Sequence, residues 1–491
     1  MPGKYILEII VFISGAIVMI YELAGSRLIS PYVGTSLYVW TSLIGVILGS
    51  LSLGYHLGGR MADKNARWSV FSMILFLAAI CIGITVLIRT PIMNVTSVFN
   101  LRSEYTALIA SIILFAPASI LLGMISPYSV KLKIKDLESS ASTVGNLYAV
   151  STIGSIAGTF TAGFFMIPFF GTTRILFFLA ILLLVLSLIA CGKFLMRTKI
   201  FMIVIFSVFY FWGVAIFPVK ANVIEIDTPY SKVWLDYSTD LYGRKKIALN
   251  TDPFAAQSAM YLNNDELVFE YTKFFRIAKH FNPHIYKALM IGGSGYSYPK
   301  DFLAKFPEAT MHVVEIDPGM TRIARKYFRL KDNARLRIFH EDGRTFLNRN
   351  KNRYDVIYGD AFSSFISVPY QLTTREAIEK MHAALNDNGL VIHNIISAID
   401  GKKGEFLRAQ IATYKIYFPH VYVFRVNKEP SYDTQNIILI ALKNPRTPSF
   451  VSPDEELNRY LQSVWTKKID LDMPVITDDH APVEYYKYRS M

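Results

Sequence analysis

The stretch that decides the fold is YKALMIGGSGYSYPKDFLAKFPEATMHVVEID, Tyr286 to Asp317. An apolar run, Ala288 to Ile291, breaks into Gly292-Gly293-Ser294-Gly295. A helix-compatible segment follows, and a second apolar run ends in Glu315 and Asp317. Strand, glycine turn, helix and strand with an acid at its tip make half of a nucleoside-binding βαβ unit. The glycines let backbone come close to a nucleoside, and an acid about twenty residues on accepts hydrogen bonds from ribose hydroxyls. An ordinary βα turn with a surface acid would show the same glycines; the position of Glu315 favours the site.

Working outward toward the C-terminus, strand-like and helix-like segments keep alternating. LRIFH, a short helix, YDVIYGD, a helix from about Thr373 to Leu385, GLVIHNI, a helix after Gly401, HVYVFRV and NIILIAL follow in order. This alternation predicts a mainly parallel sheet covered on both faces. In such sheets ligands sit beyond the carboxyl ends of the strands, which gathers Gly292 to Gly295, Glu315, Asp342 and Asp360 at one rim. On the N-terminal side, the short runs VIEI, KVWLDY and KKIALN predict a small antiparallel sheet, followed by helical periodicity from Glu266 to His280.

Before about Pro218 the chain changes character. Its mean hydropathy is +0.32 over 491 residues, and the apolar excess is concentrated in this first part. A spanning helix needs about 20 apolar residues, and seven segments qualify: roughly 5–24, 38–58, 69–89, 105–127, 146–169, 173–191 and 199–217. Gly45/Gly49, Gly54/Gly58 and Gly154/Gly158 have the spacing that brings helix backbones together in lipid. Glu22, Arg27 and His56 are ionisable residues near the predicted helix ends, where they either serve a pathway or pair at the interface. The first segment runs into further spans and not into a small-residue cleavage site, so it reads as a transmembrane helix.

Charge and cysteine exclude several classes. Residues 1–218 hold 14 Lys and Arg against 6 Asp and Glu, leaving 37 and 32 of the chain's 51 and 38 for the remainder. A diffuse excess of that size is no nucleic-acid stripe. Cys81 and Cys191 both lie in apolar segments, so neither a disulfide framework nor a thiolate metal cluster is expected. With seven spans, the loops at 60–68, 128–143 and 192–199 carry nine Lys and Arg and the opposite short loops four. The positive-inside rule then puts the second half outside, whereas a nucleoside ligand argues for the cytoplasm. The side stays undecided, and a homo-oligomer is compatible with all of this.

Taken together, the motifs carry a family resemblance. Residues 222 to 445 resemble the spermidine synthase (polyamine aminopropyltransferase) family, which has a small N-terminal sheet and a methyltransferase-type Rossmann-like domain. The similar segments are QSAMYLNNDELVFEYTKFF, LMIGGSGYS, VVEID, EDGRTF and YDVIYGDAFSS. YELAGSRLISPYVGTSLYVW, LGYHLGGRMAD and GNLYAVSTIGSIAGTFTAGF resemble the subgroup fused to transmembrane helices. The resemblance implies a multi-pass α-helical membrane domain at 1–218, the small β-sheet at 219–282 and the Rossmann-like α/β domain at 283–491.

Carried over by position, the resemblance implies that Gln257 and Glu315 bind ribose and that Gly292, Gly293 and Gly295 line the nucleoside. It places Asp342, with Gly343, at the adenine amino group, and Asp360 with Tyr271 at the attacking amine. The implied substrates are S-adenosylmethionine or its decarboxylated form and a small-molecule amine; no metal is implied. Three positions depart from the family: Gly295 stands where the loop aspartate is expected, Ser363 where a second aspartate follows the catalytic one, and Thr272-Lys273 where His-Glu is expected. Each change removes or reverses charge that would hold a polyamine, since buried ammonium groups need carboxylate partners. The expected activity is aminopropyl transfer. Methyl transfer, breakdown of the intact cofactor and a nucleoside sensor coupled to a membrane transporter remain the alternatives.

Overall fold

The computed structural model describes residues 5–34, 36–98, 103–134, 140–212, 222–252, 255–361, 368–427 and 429–489. The chain divides into two compact units, Met1–Val219 and Lys220–Met491.

The first unit is helical. Helices α1 (Ile6–Val33), α2 (Leu37–Asn65), α3 (Trp68–Val98), α4 (Ser103–Lys133) and α5 (Ser140–Phe160) follow one another. After α5 comes a π-helical segment, Thr161–Met166, and then α6 (Thr172–Ala190) and α7 (Met196–Trp212). Six helices among the described residues are long and apolar enough to cross a membrane, counting α5 and its continuation to Phe169 as one. The seventh expected span, 199–217, is α7 with 17 residues; positions beyond Trp212 lie outside the described residues. Helix α1 does not stop near residue 24 but continues past Glu22 and Arg27 to Val33.

Glycine decides which of these helices come into close contact. A Cβ at Gly54 would lie 2.2 Å from the Ile120 carbonyl oxygen and one at Gly58 2.6 Å from Met124 Cα, so α2 and α4 touch along their backbones. A Cβ at Gly154 would lie 2.0 Å from the Phe12 oxygen and one at Gly158 2.5 Å from the Ala16 oxygen, which closes α5 on α1. Small residues allow this approach where the hydrophobic effect gives no drive between helices. Gly45 and Gly49 differ from the expectation: among the described residues, nothing lies within 4 Å of either added Cβ.

The second unit holds two sheets. Strands β1 (Val223–Asp227), β2 (Lys232–Thr239), β3 (Lys245–Asn250) and β4 (Ala256–Tyr261) form an antiparallel sheet in sequence order. The larger sheet contains β5 (Lys287–Ile291), β6 (Thr310–Val314), β7 (Leu336–Phe339), β8 (Tyr354–Gly359), β9 (Leu385–Ser397), β10 (His420–Arg425) and β11 (Gln435–Leu442). Its order is β10-β11-β9-β8-β5-β6-β7, with β5 to β9 parallel and the last two strands antiparallel. From β5 the chain winds out to β6 and β7, then returns to place β8 on the other side. The topological switch therefore lies between β5 and β8, where such sheets open a crevice.

The apolar run of β5 is continuous because both faces are buried. Ala288 and Met290 join the core on one side with Tyr358 and Ile392, and Leu289 and Ile291 join the other with Ile357 and Val391. Each of the buried leucine, isoleucine, valine and methionine side chains contributes roughly 1.5–3 kcal/mol. The helical reading of Glu266 to His280 resolves into two short helices, Glu270–Phe274 and Ala278–Phe281, joined by a 3-10 turn.

Candidate functional site

The glycine turn begins where β5 ends. Gly292 has φ +98°, and a Cβ there would lie 2.3 Å from the Asp360 carbonyl oxygen. Only glycine satisfies both the positive φ and the contact. The Asp360 N–H in turn donates to the Ile291 oxygen at 2.9 Å, extending the β5–β8 ladder by one step. The first glycine thus sets the distance between the turn and the residue that follows β8.

Glu315, just past β6, is buried, and it organises the same turn. Its Oε2 accepts from the N–H groups of Gly293 (2.9 Å) and Ser294 (2.8 Å), and Oε1 from that of Asp317 (3.0 Å). Burial pushes its carboxyl above the ordinary carboxylate range, while these three bonds pull the other way. A carboxylate offers about four acceptor directions, so one is left for a further hydroxyl. Ser294 and Tyr296 both adopt positive φ, and the buried Tyr296 hydroxyl is held by Thr321 Oγ1 at 2.7 Å.

Asp360 stands at the crevice with two donors on it. Tyr271 Oη donates to Oδ2 at 3.1 Å, and Asn394 Nδ2 donates to Oδ1 at 3.2 Å. Burial pushes the Asp360 carboxyl up to about 6, the two hydrogen bonds opposing it. Burial and the neighbouring Asp360 charge push the Tyr271 phenol far up, which keeps it a proton donor in this pair. Tyr271 is itself fixed by stacking on Phe269, with ring centroids 5.9 Å apart, and by an edge contact with Phe275 at 6.0 Å. Asn394 is 2 % exposed, and among the described residues its Oδ1 has no hydrogen-bond partner. An acceptor left open beside a carboxylate is chemically informative, because burying it unpaired is costly.

Asn394 and its neighbour His393 were not among the residues singled out from sequence. Two adjacent polar residues within the apolar run Leu390 to Ile396 of a buried strand were the available signal. The two side chains face opposite sides of β9. His393 Nδ1 lies 3.1 Å from the Tyr414 hydroxyl, and burial depresses its imidazole to about 4, so the ring is neutral. It lines an apolar pocket with Ile291, Gly359, Val368, Pro369 and Leu372.

The remaining expected residues lie around this centre. Asp342 caps the helix Gly343–Arg349, Oδ1 accepting from Thr345 N at 2.9 Å; Oδ2 receives a long 3.5 Å bond from Gln371. A Cβ at Gly343 would lie 2.8 Å from Ile291 Cγ2 and 3.3 Å from the Leu372 methyls, so this helix start borders the apolar pocket. Gln257 sits where the β3–β4 register slips, between the pairs Leu249–Ser258 and Asn250–Ala256. Such a bulge re-aims a side chain. Gly295 is buried, and the direction a side chain would take is filled by Ser258 Oγ (2.5 Å) and Phe328 Cδ1 (2.9 Å). Thr272 is buried with its hydroxyl on the Phe269 oxygen, and Lys273 pairs with Glu270 at 3.0 Å. Ser363 lies outside the described residues.

A doubly wound sheet with a glycine turn and two acids at its switch point defines a Rossmann-like domain of the methyltransferase type. Residues 270–446, in the C-terminal half of the chain, match the spermine/spermidine synthase domain. The polyamine aminopropyltransferase of Vibrio vulnificus is 27% identical over 237 residues, which cover 45% of this chain and 76% of that one. The N-terminal histidine N-methyltransferase of Emericella nidulans is 32% identical over 143 residues, covering 28% of this chain and only 25% of its own. A probable spermidine synthase from Corynebacterium glutamicum superposes with a TM-score of 0.42 at 21% identity, over 50% of this chain and 93% of that one.

Proposed function

We propose that the C-terminal half transfers an aminopropyl group from decarboxylated S-adenosylmethionine to an amine, releasing methylthioadenosine. The observation that carries this reading is Asp360, a buried carboxyl raised to about 6 and held by Tyr271 and Asn394 beside the glycine turn. The carbon next to a sulfonium is already electrophilic, so catalysis needs an unprotonated nitrogen placed in line with it. Asp360 takes the proton that the amine sheds as the C–N bond forms and the C–S bond breaks. Tyr271 fixes the carboxylate's orientation. The open Asn394 Oδ1 accepts a second N–H of the same nucleophile. Glu315, with its remaining acceptor direction, and Gln257 hold ribose hydroxyls, while the pocket bordered by Gly343, Leu372 and His393 suits a flat base with Asp342 at its edge.

A second reading is favoured by one observation. The room for a side chain at Gly295 is filled by Ser258 and Phe328, so no carboxylate reaches the cofactor's tail from that position. An intact S-adenosylmethionine, with its own carboxylate, then meets less repulsion, and the relatives include an N-methyltransferase. Incubation of the purified protein with either form of the cofactor, with and without putrescine, separates the two by mass spectrometry. Methylthioadenosine formed from the decarboxylated form only with amine present supports aminopropyl transfer. Adenosylhomocysteine indicates methyl transfer, and methylthioadenosine from the intact form alone indicates breakdown. Binding without turnover of either form would leave a sensor. The long apolar helices support placing this domain on a multi-pass membrane anchor in contact with the bilayer.

A further inference from the structure

Helix α1 places one carboxylate where a membrane protein can least easily keep it. At about 1.5 Å per residue, the 28-residue helix is about 42 Å long, with Glu22 about 24 Å from its start. The hydrocarbon core is about 30 Å thick, so Glu22 lies inside it at either limit of the helix's position along the membrane normal. Ionisable groups at this depth are expensive and are kept for binding or transfer of charge.

No basic side chain among the described residues pairs with Glu22. It is half-buried and, among the described residues, forms no hydrogen bond or ion pair. Gly15, seven residues earlier and on the same face of α1, packs against the Ser151 backbone of α5. The helices run parallel in register, Phe12 beside Gly154 and Ala16 beside Gly158. Continuing that register brings Glu22 to the level of the π-helical segment Thr161–Met166, against which α1 packs. Ser140 to Phe169 contains no Asp, Glu, Lys or Arg. Arg27, five residues on, directs Nη1 to the Ile167 oxygen at 3.5 Å. The other charged and imidazole groups of the elements packed on α1 are His56, Arg60, Asp63 and Lys64 on α2, Glu104, Lys131 and Lys133 on α4, Arg174 on α6, and Arg89 on α3, one turn past the Thr85 that bonds Tyr21; Arg89 Nη1 donates to Thr173 Oγ1 at 3.4 Å, and none of these groups is paired with Glu22. π-helical turns inside α-helices often mark functional sites because they displace backbone carbonyls. Here one lies at the same depth as an unpaired carboxyl.

We propose that Glu22 is the carboxylate of a cation-binding site in the membrane half, occupied by a proton that a small monovalent cation displaces. The carboxylic acid gives its proton to water as the cation arrives, so net charge in the site is unchanged. This rests on the helices crossing a membrane. The test uses full-length protein in carbonate-washed membranes treated with dicyclohexylcarbodiimide, which modifies protonated carboxyls in apolar surroundings, followed by peptide mass spectrometry. The expected result is an adduct on Glu22 at pH 6 that falls at least fivefold by pH 9. Suppression at constant pH by sodium or by potassium identifies the displacing cation. Glu22→Gln loses the adduct, while Glu8, paired with Lys133 at 2.5 Å, stays unmodified in both proteins. Glu22 unmodified from pH 6 to 9, or modified equally whatever the pH and cation, overturns the proposal. Release of the protein by the carbonate wash instead overturns the spanning reading on which it rests.

Discussion

At the residue scale, Asp360 makes function and stability opposed quantities. Its folded-state value of about 6 lies above the ordinary 3.8, so the fold favours the neutral acid. The stability it contributes is full below about 4 and is lost as pH rises through 6. Asp360→Asn should therefore raise stability at pH 8 by about 1–2 kcal/mol in urea unfolding, while lowering turnover by about 10²–10⁴ as expected for loss of a general base. In the wild type, kcat/KM should fall about tenfold per pH unit below 6, a slope the asparagine variant lacks. Tyr271→Phe removes one donor from the carboxylate, and its effect should be smaller, about tenfold in kcat with the limb of the pH profile moved upward. Asp360 and Glu315 were legible because each is an acid at the end of an apolar strand. That Glu315 binds three backbone N–H groups was not, since two of them belong to a turn 21 and 22 residues away whose shape is set by positive φ at Gly292, Ser294 and Tyr296.

At the element scale, the glycine turn and the glycine seams make separable predictions. Gly292→Ala meets both φ +98° and an oxygen at 2.3 Å, so it should cost about 2–3 kcal/mol in equilibrium unfolding and shift Asp360 away from Tyr271. Gly154→Leu should expel α5 from α1 and lower the yield of folded protein after detergent extraction, whereas Gly45→Leu, with nothing within 4 Å, should match wild type in the same assay. Sequence spacing alone could not tell these pairs apart. Both have glycines four apart; among the described residues, only one has a partner helix on that side. The length of α1 was hidden for a related reason, because hydropathy falls at Glu22 and Arg27 although the backbone hydrogen bonds continue to Val33. The bulge at Gln257 was hidden as well, since it arises from the pairing of β3 with β4 and not from either strand's own residues.

At the scale of the whole molecule, the division at Val219 and Lys220 leaves a second unit with two apolar layers of its own. Residues 220–491 produced alone should unfold in one cooperative transition and bind methylthioadenosine, measured by calorimetry; a fragment that aggregates or lacks a transition contradicts this. Within that unit, local sequence determined the strand and helix alternation, the glycine turn and the acids at strand ends, because these depend on the period of apolar residues and on backbone freedom within a few positions. It also determined that the first two hundred residues are helices fit for lipid. Tertiary structure alone decided that Asn394 joins Tyr271 on Asp360, that Ser258 and Phe328 fill the space beside Gly295, and that Glu22 on α1 stands near the level of the π-helical segment Thr161–Met166. Those facts follow from which elements become neighbours across the sheet and between helices, and such neighbours are separated in sequence by distances over which no local period carries information.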